Sequence, residues 1–106
     1  MATTKRREKE NEAYLKKRVR EHGGLYRKWV SPGRRGVPDD IVIAPCLDPH
    51  VQFVEMKAEG KEPEDHQLRE HERIRKAGGI VHVFDCPEDI DTFFELNCDG
   101  SCKHER

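Results

Sequence analysis

Two short apolar segments, at residues 40–44 and 51–57, limit the folds open to this chain. Each is long enough for a β-strand and too short for a buried helix. The first, DIVIA, is ended by Pro45, and the second is VQFVEMK. Because side chains alternate across a strand, Glu55 and Lys57 share one face of the second segment. Two segments whose other residues predict buried strands therefore carry charged residues at one end.

The surrounding periodicity predicts three helices and two further strands. The predicted elements are a helix at 8–22, strands at 25–30, 40–44 and 51–57, a helix at 65–77, a strand at 80–84 and a helix at 86–96. A helix joins the third strand to the fourth, which favours one parallel crossover in a mixed sheet. We therefore predict an α/β fold of order αβββαβα, with the domain at 8–96 between a basic tail at 1–7 and a second tail at 97–106.

Charge is distributed unevenly along the chain, although the formal net charge is only −1. Residues 1–35 hold twelve Lys and Arg against four acids, a net of +8, whereas residues 36–106 hold eight against seventeen, a net of −9. A basic arm beside an acidic remainder favours a polyanionic partner and, separately, a carboxylate-rich centre. The alternative is a solvated basic helix with a frayed tail.

Composition also bears on assembly and location. Hydrophobic residues make up 34% of the chain and charged residues 39%, so we expect a thin core and a homodimer that buries additional surface. No apolar run approaches the ~20 residues that span a bilayer, and the N-terminus lacks the apolar stretch of a secretion signal. We expect a cytoplasmic chain with no membrane partner, whose four cysteines, at 46, 86, 98 and 102, are reduced thiols.

Two carboxylates are expected to meet at the charged end of the strand pair. Asp39 precedes the first strand, and Glu55 stands sixteen positions later, near the end of the second. If the strands pair through the connection at 45–50, both carboxylates lie away from that turn. Like charges this close are costly unless a cation separates them, and oxygen ligands suit Mg²⁺. Lys57 would then orient water or stabilise the transition state of phosphodiester hydrolysis.

Each of these features also has a structural interpretation when it is taken alone. A Glu-x-Lys tripeptide at a strand end is usually an exposed ion pair, and a Pro-Asp dipeptide usually belongs to a turn. The order is more specific: Pro38-Asp39 comes just before one apolar strand, and Glu55-Met56-Lys57 ends the next.

Three segments, GLYRKWVSPGRRGVPDDIVIAP, VQFVEMKAEGKEPEDHQ and GGIVHVFD, resemble the VRR-NUC family, a branch of the PD-(D/E)xK nucleases. The resemblance extends over nearly all of residues 8–96. It implies a restriction-endonuclease-like αβββαβα core with a mixed central sheet flanked by helices. It also implies that Asp39, Glu55 and the Met56 backbone carbonyl bind Mg²⁺ or Mn²⁺, and that Lys57 is catalytic.

The family has two further polar positions, a glutamate on the first helix and a glutamine on the helix after the Glu-x-Lys strand. Glu12 and Gln67 match them, and helical spacing places both on inward-facing stripes. The alternatives are an ion-pair partner on the helix for Glu12 and a satisfied residue at the helix start for Gln67. Asp40 departs from the family pattern, since similar sequences often carry a basic residue there.

Stand-alone members of the family are often phage-encoded homodimers that act on branched DNA such as four-way (Holliday) junctions. The resemblance thus implies a structure-selective endonuclease in the host cytoplasm. The alternatives are a nuclease for ordinary duplex or single-stranded DNA, and a non-catalytic DNA-binding dimer. The basic residues expected to hold DNA phosphates are Lys16, Lys17, Lys28, Arg34 and Arg35, extended by Lys5, Arg6 and Arg7.

The C-terminal segment NCDGSCKHER has no counterpart in the family. Its Cys98, Cys102 and His104 are potential zinc ligands, but the C-x₃-C-x-H spacing matches no common zinc finger. We therefore expect a reduced tail without a metal. Cys46 and Cys86 follow separate strands and are expected to pack as small apolar groups.

Overall fold

The structure, a computed structural model, describes residues 7–98, and its elements follow the predicted order. They are α1 (Glu8–Glu21), β1 (Leu25–Lys28), β2 (Asp40–Ile43), β3 (Val51–Met56), α2 (Asp65–Lys76), β4 (Val81–Phe84) and α3 (Pro87–Asn97). The sheet has the order β1-β2-β3-β4, with antiparallel pairs except for β4, which runs parallel to β3. The α/β class and the mixed sheet are confirmed.

The apolar core lies on the face of the sheet that packs against α1 and α3. In the β2–β3 register Asp40 faces Val54, and the inward positions on this side include Val42 and Met56. These residues pack against the buried faces of the two helices, which contribute Leu15, Val19, Ile90, Phe93 and Phe94. The α1 residues recur at a spacing of four, so the helix buries a single narrow stripe.

The opposite face of the sheet packs against α2. Glu55 lies on this side and contacts the α2 residues Gln67 and His71. Near the other end of α2, Gly79 sits between Ile74 and Phe53, where an added Cβ would approach the Ile74 side chain to 2.5 Å. Helix α2 thus buries polar side chains over the Glu55 end of β3 and apolar ones over Phe53.

The loop between β1 and β2 approaches the backbone of α2 at Gly36. This glycine has a φ of +83°, and a Cβ built on it would lie 2.7 Å from the His66 carbonyl oxygen. A side chain here meets both backbone strain and a fixed peptide group. Because Asp39 follows three residues later, this contact fixes the entry of the chain into the candidate site.

We expect Gly36→Ala to lower the free energy of unfolding by about 2–4 kcal/mol, because strain and steric overlap add. Urea denaturation monitored by circular dichroism measures the change. Gly33→Ala is the matched control, since Gly33 has a φ of +78° but nothing within 4 Å of an added Cβ. Equal losses in the two variants would show that the His66 contact contributes nothing.

The structure joins Cys46 and Cys98 by a disulfide, so the expectation of reduced thiols is wrong for this pair. The Cα atoms lie 5.3 Å apart across a sequence separation of 52 residues, because the end of α3 packs beside the β2–β3 connection. Cys86 is a free cysteine. Lys5, Arg6, Cys102 and His104 lie outside the described residues.

No helix within residues 7–98 combines the length and the apolar content required to cross a bilayer.

Candidate active site

Asp39 and Glu55 meet at the end of the β2–β3 pair, as the sequence predicts. The register pairs Asp40 with Val54, which places Asp39 opposite Glu55 at the next step. The backbone N–H of Met56 donates a hydrogen bond to Asp39 Oδ2 at 2.9 Å. The carboxylate of Asp39 is therefore held against the end of β3 by a main-chain contact.

Glu55 is a buried carboxylate, with 1% of the residue exposed. Gln67 Nε2 donates to its Oε2 at 3.0 Å, and Lys57 Nζ lies 3.6 Å from the same oxygen. Burial raises the pKa of Glu55 well above its usual range, and the charge of Asp39 raises it further, while Lys57 acts in the opposite direction. The ionised form of Glu55 therefore gains from additional positive charge.

Gln67 is held by two contacts that together fix its amide. The backbone N–H of Glu64 donates to Gln67 Oε1 at 2.8 Å, as part of the capping box that starts α2. This bond leaves the amide nitrogen to donate to Glu55. Gln67 therefore both caps the start of α2 and contacts the active-site carboxylate, so both interpretations of this residue hold.

His71 is a site residue that sequence reasoning left without a role. It is fully buried one turn after Gln67, and its Nε2 lies 3.1 Å from Glu55 Oε1. Burial lowers the pKa of His71, which favours the neutral ring donating from Nε2. The four-residue spacing from Gln67 on an inward stripe was the available signal.

Lys57 follows β3 and has a side chain that is 13% exposed. Its backbone is fixed on both sides, since its N–H donates to the Phe84 carbonyl at 2.9 Å and its carbonyl accepts from Asn11 Nδ2 at 3.1 Å. Asn11 also donates to the Asp85 carbonyl at 2.7 Å. This buried α1 asparagine, which sequence reasoning missed, ties α1 to the ends of β3 and β4.

Two glutamates one turn apart on α1 face this end of the sheet. Glu12, predicted as a site residue, forms an ion pair with Lys28, whose Nζ lies 2.6 Å from Glu12 Oε2. Glu8 was given no role from the sequence, yet it lies near Asp39 and Lys57: partial burial and the charge of Asp39 raise its pKa, whereas Lys57 lowers it. Glu8 therefore lies within electrostatic range of Asp39 and Lys57.

Two comparisons with known proteins bear on this arrangement, whereas no family model matches the sequence. A solved structure described as "VRR_NUC domain" aligns with a TM-score of 0.76 and 42% identity, covering 85% of this chain and 96% of that one. "Putative nuclease p44" of Acyrthosiphon pisum secondary endosymbiont phage 1 is 48% identical over 79 residues, 74% of this chain and 83% of that protein. The chain belongs to the VRR-NUC family of nucleases.

Asp40, the departure from the VRR-NUC pattern, is buried on the α1 side of the sheet with no exposed surface. Tyr26 donates its hydroxyl to Asp40 Oδ1 at 2.7 Å, and Lys28 Nζ lies 3.6 Å from the same oxygen. Burial raises the pKa of Asp40, and the hydrogen bond from Tyr26 opposes that rise. Asp40 thus joins Glu12 and Lys28 in a network on the face opposite Glu55.

The basic residues predicted to hold DNA divide into two groups in this VRR-NUC chain. Lys28 pairs with Glu12, and Arg34 Nη2 lies 2.7 Å from Oε1 of the buried Glu70. The other three, Arg35, Lys16 and Lys17, are exposed and make no ion pair with another described residue. Lys16 lines a shallow cleft of about 130 Å³ with Arg20 and Arg27, beside β1.

Proposed function

We propose that this VRR-NUC chain is a divalent-metal-dependent DNA endonuclease that hydrolyses phosphodiester bonds and selects branched DNA such as four-way junctions. One observation carries the metal-dependent part. Asp39 and Glu55 converge from adjoining strands, with the pKa of Glu55 raised by burial and by its neighbour, and with Lys57 beside it. The branched-DNA part is supported by the resemblance to stand-alone members of the family.

The residues at this site fit Mg²⁺ or Mn²⁺. Asp39 and Glu55 would hold the ion together with the Met56 backbone carbonyl, and these all-oxygen donors suit hard divalent cations. Burial and the neighbouring Asp39 raise the pKa of Glu55, and a divalent ion between the two carboxylates would favour their ionised forms. A bound divalent ion supplies Lewis-acid stabilisation of the negative charge that builds up on the phosphate during hydrolysis.

The chain's own residues supply the remaining functions. Gln67 and His71 occupy opposite oxygens of Glu55, so they hold that carboxylate in one orientation. Lys57 presents a compact positive charge at the mouth of the site, where it can orient an attacking water or neutralise charge in the transition state. Glu8, whose pKa is raised by Asp39 and lowered by Lys57, is a further carboxylate that could position water or metal.

The non-catalytic alternative is disfavoured by the same residues. A module that only binds DNA gains nothing from two adjacent carboxylates, since these repel phosphate unless a cation intervenes. The alternative in which the enzyme cuts ordinary duplex or single-stranded DNA uses the same site. Only the comparison of substrates separates that alternative from junction selectivity.

DNA contact is proposed for Arg35, Lys16 and Lys17, which are exposed, and for Lys28 and Arg34 after exchange of their present carboxylate partners for phosphates. We also propose a homodimer, because two copies of one site related by a twofold axis suit paired nicks on opposite strands of a junction.

The test compares a labelled four-way junction with linear duplexes of the same arm sequences. We expect Mg²⁺ or Mn²⁺ to permit cleavage, EDTA to abolish it, and the junction to be cut faster than the duplex, by a species that sediments as a dimer. Equal rates on both substrates would remove junction selectivity but retain the nuclease. Binding without products in either metal would establish the non-catalytic alternative.

A further inference from the structure

We propose that the cleft between α1 and β1 binds a backbone phosphate of DNA away from the proposed active site, with Lys16, Arg20 and Arg27 as its ligands. This adds Arg20 and Arg27 to the DNA contacts proposed above and gives Lys16 a defined place among them. The inference rests on the proposed function, because it takes DNA to be the substrate.

The cleft lies at the outer edge of the sheet, where the second half of α1 passes beside β1. β1 is the first strand in the order of the sheet, so the cleft faces solvent and a large ligand can approach it. Its volume of about 130 Å³ is below the roughly 300–1,000 Å³ of pockets for drug-sized molecules. A group of a few atoms, such as a phosphate, suits this space. The lining residues are Lys16, Arg20, Gly24, Leu25, Tyr26 and Arg27.

The three basic side chains of the cleft keep their charge available for a ligand. All three are exposed, and none of them forms an ion pair with any other residue in the range 7–98. Arg18, on the same helix, is by contrast paired with Glu21 at 2.7 Å. Like charges gathered around one cleft favour an anion between them, and a polyanion gains most from such a group.

The guanidinium of Arg27 is held in place before any ligand binds. Its Nη1 donates a hydrogen bond to the Tyr26 carbonyl at 2.8 Å, which leaves Nε and Nη2 to donate to a phosphate. Tyr26 is fixed in turn, because its hydroxyl donates to the buried Asp40 at 2.7 Å. A side chain that is already ordered loses less conformational entropy when it binds.

The cleft and the proposed active site lie along the same side of α1. Glu12, Lys16 and Arg20 recur at a spacing of four, so they share one face of the helix. At ~1.5 Å per residue, Lys16 and Arg20 lie about 6 Å and 12 Å beyond Glu12 along the helix axis. These distances correspond to roughly two and four base-pair steps of ~3.4 Å. A duplex arm held at the proposed active site would therefore bring one of its own phosphates to the cleft.

The alternative is a basic face that is only solvated. Arg20 stands in the last turn of α1, where a positive charge stabilises the helix dipole. That role accounts neither for Lys16, one turn earlier, nor for Arg27, which lies on a different element. The convergence of two elements on one cleft is what favours a ligand.

The experiment measures the affinity of the full chain for a labelled four-way junction across a range of salt concentrations, in EDTA so that no metal-dependent cleavage interferes. Lys16→Gln, Arg20→Gln and Arg27→Gln should each weaken binding about 5–10-fold near ~0.1 M salt. Each should also reduce the slope of log K against log salt by about one, because one phosphate contact is lost.

Lys76→Gln is the matched control, since Lys76 is exposed on the last turn of α2, on the opposite face of the sheet. It should keep the wild-type affinity and slope. All four substitutions are at exposed positions, so their melting temperatures should agree with the wild type to within about 3 °C.

A second measurement locates the contact on the DNA. Methylphosphonates, which remove the charge of single phosphates, are placed one at a time along a junction arm. A neutral linkage at the phosphate bound by the cleft should weaken binding of the wild type and have little further effect on Arg27→Gln. This non-additivity reports a direct contact, which a merely structural role of Arg27 would not produce.

Wild-type affinity and slope in the three cleft variants would overturn the proposal, as would an equal loss in Lys76→Gln, which would indicate bulk charge alone. A wild type that does not bind DNA would also overturn it. Failure of the proposed function gives a different result. In that case the cleft variants weaken binding as expected, yet the wild type yields no cleavage products when Mg²⁺ or Mn²⁺ is added.

Discussion

Lys57→Ala is expected to lower the rate of strand scission by about 10²–10⁴-fold while DNA binding is retained. The Lys57 ammonium lies 3.6 Å from Glu55 and is only 13% exposed on its side chain, so solvent cannot replace its charge at the site. Single-turnover cleavage of a labelled substrate at saturating protein measures the chemical step, and a mobility-shift assay on the same preparation measures binding.

Lys61→Ala is the matched control, because it removes the same charge from an exposed position four residues further along. It should cleave at close to the wild-type rate. Near-normal cleavage by Lys57→Ala would show that this ammonium has no part in the chemistry. Equal loss of cleavage and of binding would instead assign Lys57 to DNA contact.

Asp39→Asn is expected to abolish cleavage and, in the absence of metal, to make the protein more stable. The asparagine oxygen still accepts the Met56 N–H, while the negative charge beside Glu55 is removed. We expect the free energy of unfolding to rise by about 1 kcal/mol without divalent ions. Addition of Mg²⁺ or Mn²⁺ should stabilise the wild type by mass action and leave this variant unchanged.

Asp48→Asn provides the comparison, since Asp48 is an exposed carboxylate in the turn at the opposite end of the strand pair. Thermal melts of the wild type and both variants, with and without each metal, measure the change in stability caused by each substitution and by metal addition. If Asp39→Asn keeps the metal-dependent stabilisation of the wild type, Asp39 is not a metal ligand.

The elements of this fold were predictable because their signals are local. The apolar periodicity of α1 and the glycines after α1 and α2 mark where those helices run, and Pro45 ends the strand at β2. The carboxylate pair was also predictable, because an antiparallel connection brings Asp39 and Glu55 to one end whatever the helices do. β1 was predicted to extend to residue 30 but ends at Lys28, and the chain turns at residues 32–33.

The supporting contacts could not be predicted from sequence because they join distant segments. Asn11 reaches carbonyls 46 and 74 residues away, and Cys46 meets Cys98 across 52 residues. Polar residues at such positions look like solvated ones until the packing of the helices on the sheet is known. Glu8 was hidden for the same reason, since only the three-dimensional arrangement brings the start of α1 to Asp39.

Which basic residues are paired with acidic ones could not be predicted from composition either. Composition identifies a positively charged arm, yet it cannot tell that Lys28 and Arg34 are paired with Glu12 and Glu70. A count of positive charges therefore overestimates the charge immediately available to a phosphate backbone. Arg35, Lys16 and Lys17 are the better first choices for mutational tests of DNA binding.

The most direct measurement is anomalous diffraction from crystals of the chain soaked in Mn²⁺. An anomalous peak is expected between the carboxylates of Asp39 and Glu55, about 2.0–2.2 Å from an oxygen of each and within reach of the Met56 carbonyl. Well-ordered carboxylates that point away from each other, with no anomalous peak between them, would contradict the account.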